Sequence, residues 1–261
     1  MNKEIKLVAL DIDGTLLDSK GKISSRTRKK IKSLIEKDKY VALASGRASK
    51  AAANIKEELS LDLPIISYNG SALHLQGGEK VLDRKIPLED ALEVIEFAEN
   101  KGIFVKAYID DLFYIEKDHK LIKAFSQYQN IGYRVVGKLS EYIKEDVNMI
   151  VFIYDELSSV DLDMLFKDLA VTTARSTPFV VEFMAKGATK AAALKLLASH
   201  LGIKKEEILA VGNALNDLEM IEYAGTGFAM KNSDPDLLKK WDRVSDYSND
   251  EEGVYHIIKD L

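Results

Sequence analysis

The stretch "IKLVALDIDGTLLD", Ile5 to Asp18, decides how this chain is read. Its first part, Ile5 to Leu10, is a mostly apolar run of strand length, which suits a strand covered on both faces. The run stops at Asp11. A second acid follows at Asp13, with Gly14 and Thr15 behind it. An Asp-Gly pair makes a turn by itself, but a turn needs no second acid two residues earlier. Downstream, "SSRTRKKIKSLIEKDK", Ser24 to Lys39, predicts a helix. Ser24 or Ser25 serves as its N-cap, and Ile31, Leu34 and Ile35 fall at helical spacing. "YVALA", Tyr40 to Ala44, is a second apolar strand. Strand, helix, strand within about forty residues is a βαβ unit and implies a parallel sheet.

Both ends of the chain repeat this style. "KAAANIKEEL" and "LPIIS" add a helix and a strand near the N-terminus. Near the C-terminus, "TKAAALKLLASHLG" predicts a helix closed by Gly202. "EILAV" and "GFAM" read as strands, while "LNDLEMIEYAG", "DPDLLKKW" and "DEEGVYHIIKDL" read as helices. The middle differs. "FVKAYID", "LFYIEK", "NMIVFIYD" and "FVVEFMA" alternate instead of running apolar, with helices over "LEDALEVIEFAENKG" and "SVDLDMLFKDL". Alternation suits an open sheet with one wet face. The expected fold is therefore α/β: a doubly wound parallel-sheet core built from residues 1–85 and 186–261, with an α+β domain, 86–185, inserted between them.

Composition narrows the function. The 261 residues are 46% hydrophobic, enough for a sizeable core. A net charge of −5 points to no nucleic acid and no anionic membrane surface. The basic run Arg26 to Lys32 reads as the solvated face of a helix. There is no cysteine, so no thiolate nucleophile and no Cys-ligated zinc, and the four histidines are scattered. No apolar run approaches the roughly 18 residues of a membrane helix, and the N-terminus lacks a signal-peptide pattern. The expected location is the cytoplasm. Nothing in the pattern specifies an oligomer.

In a doubly wound sheet the loops after the strands converge on one crevice. Here they carry Asp11 and Asp13, then Ser45, Gly46 and Arg47, then Lys190 opening a helix, then Asn213, Asn216 and Asp217. Two acids this close repel, and a hard divalent cation with oxygen ligands, commonly Mg²⁺, relieves that. The lysine and the serine suit an anion. Cation and anion sites together describe phosphoryl transfer, with a carboxylate as nucleophile. A phospho-receiver module uses similar groups but has no inserted domain. Tyr108, Asp110 and Asp111 in the insert read as polar residues at a strand end. Arg47 reads as an exposed residue after an N-cap.

"DIDGTLLD", "SGR", the helix-opening lysine and "GNALND", in that order, resemble the haloacid-dehalogenase superfamily. The insert, "SYNGSALHL" and the tail "AMKNSD…EEGV" resemble its Cof-type phosphatases, subclass IIB. The resemblance implies a Mg²⁺-dependent phosphatase acting on a small phosphorylated metabolite, such as a sugar phosphate or phosphorylated cofactor. It makes Asp11 the nucleophile and a metal ligand, and Asp13 the general acid–base, with its carbonyl a second ligand. It gives Ile12, Ser45, Gly46, Lys190 and Asn216 to the phosphate, and Asp217 to support of the metal site. One position departs: Gly212-Asn213 stands where the family has Gly-Asp, and that aspartate ligates the metal. Asn213 keeps an oxygen for the metal but loses a charge. It thus also raises the alternative of a catalytically impaired binding or regulatory protein on the same fold.

Overall fold

A computed structural model of the chain describes residues 4–153, 162–177 and 179–261. Leu7–Asp11 forms β1, Tyr40–Ala44 β2, Ile65–Ser67 β3, Ala72–His74 β4 and Lys80–Asp83 β5. Phe104–Ile109 forms β6, Leu112–Ile115 β7, Tyr133–Val135 β8, Met149–Ile153 β9, Val171–Thr177 β10 and Val180–Ala185 β11. Ile208–Gly212 forms β12 and Thr226–Ala229 β13. These make two sheets, ordered β13-β12-β1-β2-β3-β4-β5 and β10-β11-β9-β6-β7-β8. The first sheet is thus built from both chain ends and the second from the middle.

In the first sheet β1 pairs in parallel with both β2 and β12, so chain order reverses beside it. All five residues of β1 are buried, because helices cover both faces. On one side Val8 and Leu10 meet Ile31 and Leu34 of the helix Ser25–Glu36, with Val254 and Ile258 of the last helix. On the other, Leu7 and Ala9 meet Leu194 and Leu197 of the helix Lys190–His200. Ser24 caps the first of these helices by accepting from the Thr27 N–H at 3.1 Å. β4 and β5 extend the sheet antiparallel beyond β3. These strands are too short for a clear periodicity, and the sequence pattern did not predict them. The expected helix over "DPDLLKKW" shortens to Pro235–Leu238.

In the second sheet Val105, Ala107 and Ile109 of β6 face the helix Leu88–Lys101. The alternation predicted from sequence is present, but its consequence is corrected. The opposite face is not wet: Tyr108, Phe113, Met149, Val151 and Met184 pack with Ala48, Ala51, Tyr68 and Ala72 of the first body. Polar positions on that face look into a crevice between the sheets. Of the helix expected over 159–169, Leu162–Leu165 is helical, and residues 159–161 lie outside the described residues, as do Tyr154 and Asp155 of the strand expected over 148–155. Among the described residues no helix is long and apolar enough to cross a membrane.

Candidate active site

The crevice is a cavity of about 430 Å³ between the two sheets, at the carboxyl ends of β1, β2 and β12. Asp11, Asp13, Ser45, Gly46, Lys190, Asn213 and Asn216 all line it. Gly14 makes the first loop possible. Its φ is +76°, and a Cβ there would lie 2.6 Å from the Asn213 amide nitrogen. Only glycine lets the β1 and β12 loops come this close.

Lys190 is buried, and its ammonium donates to Asp11 Oδ1 at 2.7 Å and to Asp217 Oδ1 at 2.6 Å. Burial opposes its charge, but the carboxylates of Asp11 and Asp217 outweigh this and hold its pKa above the usual lysine value. Asp11 is pushed up to about 7 by burial and by the Asp217 charge, against the pull of Lys190. Thr189 places the lysine by capping its helix, accepting from the Ala192 N–H at 3.1 Å. The Tyr68–Gly70 turn packs on that helix start: a Cβ on Gly70, at φ +99°, would lie 2.1 Å from the Thr189 carbonyl oxygen.

Asp217 stands behind the cavity. Its Oδ2 accepts from the backbone N–H groups of Asn213 and Ala214, at 2.9 and 3.0 Å, while its Oδ1 holds Lys190. Both oxygens are thus engaged, one by the Lys190 ammonium and one by backbone N–H groups, and Asp217 braces the loop and the lysine. The expected repulsion between Asp11 and Asp13 is present, the Asp13 charge adding to the rise at Asp11, but each acid also has its own cation. Asp13 takes a bidentate contact from Arg47, Nε to Oδ2 at 2.7 Å and Nη2 to Oδ1 at 2.6 Å. The Tyr128 hydroxyl, from the helix Lys120–Gln129, donates to the same Oδ1 at 3.1 Å. Arg47 is buried, not exposed as its sequence context predicts.

The fit of a divalent cation turns on Asn213. Its inward amide atom lies 2.7 Å from the Asp13 carbonyl oxygen, 2.9 Å from Thr15 Oγ1 and 3.1 Å from Asp11 Oδ2. An amide can present either end. With the NH₂ inward it donates to these oxygens. With Oδ1 inward, Thr15 Oγ1 donates to it. That oxygen then lies from Asp11 Oδ2 and from the Asp13 carbonyl at close to the separation of neighbouring Mg²⁺ ligands, about 2.9 Å for ligands at 2.0–2.1 Å. The donor set fits Mg²⁺ with one carboxylate, a carbonyl and a neutral amide. Among the described residues no three His, Cys, Asp or Glu side chains gather into a metal-binding cluster.

Asn216 donates to Asn69 Oδ1 at 3.0 Å, and Asn69 donates to Glu182 Oε2 of β11 at 2.8 Å. Among the described residues, the Asn216 Oδ1 is buried without a hydrogen-bond partner. Ser45 Oγ accepts from the Arg47 N–H at 3.1 Å, and Ile12 is buried with its side chain in the core. Sequence reasoning missed Arg47, Asn69, Tyr128, Lys106 and Glu182. Of these, Arg47 and Asn69 carried a signal, their places within "SGR" and "SYNGSALHL". Asp110 and Asp111, read as strand-end residues, pair with Lys85 and with the Tyr68 hydroxyl.

An acid beside a buried lysine, a second acid on an arginine, and an insert roofing both define a phosphoryl-transfer site of the haloacid-dehalogenase type. The family profile described as haloacid dehalogenase-like hydrolase matches residues 8–258. The chain is 29% identical to the 5-amino-6-(5-phospho-D-ribitylamino)uracil phosphatase YitU of Bacillus subtilis (strain 168), over 97% of this chain and 96% of that one. It superposes on TM0651 from Thermotoga maritima with a TM-score of 0.82 at 33% identity, covering 98% and 97% of the two chains. It superposes on the subclass IIB sugar phosphatase BT4131 with a TM-score of 0.84 at 25% identity, covering 98% of each. The chain belongs to the haloacid-dehalogenase superfamily, as a Cof-type phosphatase.

Proposed function

We propose that the chain is a Mg²⁺-dependent phosphatase of a small phosphorylated metabolite, working through an aspartyl-phosphate on Asp11. The observation that carries this reading is the pairing of Asp11 with Lys190 at the mouth of β1. A carboxylate oxygen of Asp11 attacks phosphorus, and the bond from phosphorus to the leaving oxygen breaks. Asp13, protonated at that point, gives its proton to the leaving alkoxide, which departs as the alcohol. Asp13 then takes a proton from water. The water oxygen attacks phosphorus, the bond to Asp11 breaks, and inorganic phosphate leaves. Lys190 holds its charge beside the transferring group, and Ser45, Gly46, Asn216 and the backbone at Ile12 orient the phosphoryl oxygens. Asp11, the Asp13 carbonyl and Asn213 would hold Mg²⁺, braced by Asp217. The metal supplies charge neutralisation for the phosphoryl oxygens when bound.

The insert excludes bulk water from the crevice. Relatives named for a ribitylaminouracil phosphate and for sugar phosphates support a hydroxylated leaving group. Asp11→Asn tests the mechanism: turnover of p-nitrophenyl phosphate should fall by several orders of magnitude with the fold intact. A variant keeping about a tenth of the activity would exclude the aspartyl-phosphate. Asn213 favours a second reading, a binding protein with impaired turnover. Wild-type protein that hydrolyses no phosphate ester at millimolar Mg²⁺ would establish it.

A further inference from the structure

We propose that Lys106 and Glu182 form the subsite that selects the leaving group, and that they take an uncharged one. It offers a hydrogen-bond acceptor to Lys106 and a hydroxyl or N–H donor to Glu182. This rests on the phosphatase reading above and deepens it.

The two residues share one row of the second sheet. Lys106 of β6 is in register with Val151 of β9, and Val151 with Glu182 of β11. Side chains in register across neighbouring strands point to the same face. With neighbouring strands about 4.8 Å apart, the two backbones are about 10 Å apart with Val151 between them. All three line the cavity that holds Asp11 and Asp13.

Lys106 is only 4% exposed. Its ammonium lies 3.8 Å from the Phe125 ring centroid and 5.5 and 5.6 Å from those of Tyr108 and Phe113. Ring faces satisfy part of its charge, but rings accept no directed hydrogen bond as strong as an oxygen does. Among the described residues no carboxylate lies within ion-pairing distance of it and no oxygen accepts from it. A buried ammonium in that condition is costly unless a ligand supplies the acceptor. Glu182 is held by Asn69, which in turn takes the Asn216 amide. The carboxylate is thereby tied to the phosphate loop and set at a fixed distance from it.

The chemical class follows from the charges. A leaving group bearing a second phosphate would meet Lys106 favourably and Glu182 unfavourably, and one bearing an ammonium the reverse. An uncharged group with both acceptor and donor satisfies both. Val151, Met149 and Ile153 between and beside them offer an apolar surface to its C–H or ring faces. A polyol or a short hydroxylated chain carrying a ring answers this description.

The test uses the full chain with Mg²⁺ and three esters: p-nitrophenyl phosphate, ribose 5-phosphate and fructose 1,6-bisphosphate. The readout is the ratio of kcat/KM for ribose 5-phosphate to that for p-nitrophenyl phosphate. Lys106→Met should lower the ratio at least about 10-fold, mainly through KM, the scale expected when a buried polar group loses its partner. Lys106→Gln, which keeps a donor, should recover part of it. Glu182→Gln should lower the same ratio. An unchanged ratio in the Lys106 variants would overturn the subsite. So would a wild type that prefers the bisphosphate, or one that hydrolyses only the aryl ester. Failure of the wild type on all three esters would instead remove the phosphatase reading, and this inference with it.

Discussion

At position 213 an aspartate would face Asp11 Oδ2 and the Asp13 carbonyl with a third acceptor, whereas the asparagine can turn its NH₂ toward them. On the proposed function, Asn213 would satisfy these oxygens without the metal and would hold Mg²⁺ with one charge fewer. Asn213→Asp is expected to tighten Mg²⁺ binding by roughly 10–100-fold, the scale associated with a lost metal partner. It should also lower Tm in chelator and enlarge the rise in Tm on adding Mg²⁺. Calorimetric titration and melting curves check both, and coincident binding curves would exclude position 213 from the metal site. Lys106 gives a second prediction at this scale. Burial pushes it down to about 8 from 10.5, with the Glu182 charge opposing. That gap is worth about 3 kcal/mol. Because the folded-state value is lowered, the unfolded chain binds the extra proton between about pH 8 and 10.5. The penalty is fully present below pH 8 and fades as pH rises through that window. Wild type should thus gain stability relative to Lys106→Met from pH 8 to 10, read by denaturant melts at each pH. A constant difference would show that Lys106 is not strained by its charge.

Among the elements, the helix Lys190–His200 carries the lysine that pairs with Asp11 at its first residue, so whatever sets the helix start also sets that pair. Thr189 caps it and Gly70 packs on it. Gly70→Ala meets two obstacles, a φ of +99° and a Cβ 2.1 Å from the Thr189 carbonyl oxygen. At a compatible site Gly→Ala stabilises by up to roughly 1 kcal/mol, whereas at this positive φ and close approach it should destabilise by more than that. It should lower Tm by several degrees and reduce kcat, whereas Thr189→Ala should cost about 1 kcal/mol through the cap alone. Equal effects of the two variants on kcat would show that the turn does not position Lys190. These elements also show what a sequence discloses. β1, β2 and β12 were legible because each is an apolar run ending abruptly in polar residues, and the acids and the serine were legible as those ends; Lys190, which opens a helix, was legible only by its order among the motifs. Arg47 was not, because an arginine after a turn has the same local pattern whether it is solvated or clamps Asp13. Lys106 and Glu182 were not, because alternation marks one face of a strand as polar without saying whether water or a cavity faces it.

For the whole molecule, the question is whether the two bodies stand alone. The clusters on either face of the first sheet contain only residues from the two chain ends, and the cluster under the helix Leu88–Lys101 contains only residues from the middle. The fourth cluster is shared: Ala48, Ala51, Tyr68 and Ala72 pack against Tyr108, Phe113 and Met184. Tyr68 meets Tyr108 edge to face at 6.1 Å, and its hydroxyl donates to Asp111 at 2.8 Å. We expect a chain lacking residues 86–184, joined by a short linker, to fold, because its two main clusters remain whole. It should be less stable than the full chain, because Tyr68 and its alanine neighbours lose their cover at about 25 cal/mol per Å² of apolar surface. With Tyr68 uncovered in the shortened chain, Tyr68→Ser should raise its solubility without restoring stability. Circular dichroism and a thermal melt check the fold. Turnover of p-nitrophenyl phosphate should survive in part, while the ratio that Lys106 and Glu182 control should collapse, since both are gone. An unfolded fragment would mean that the shared cluster is part of the first body's core, and that the boundary at residues 86 and 185 divides a single folding unit.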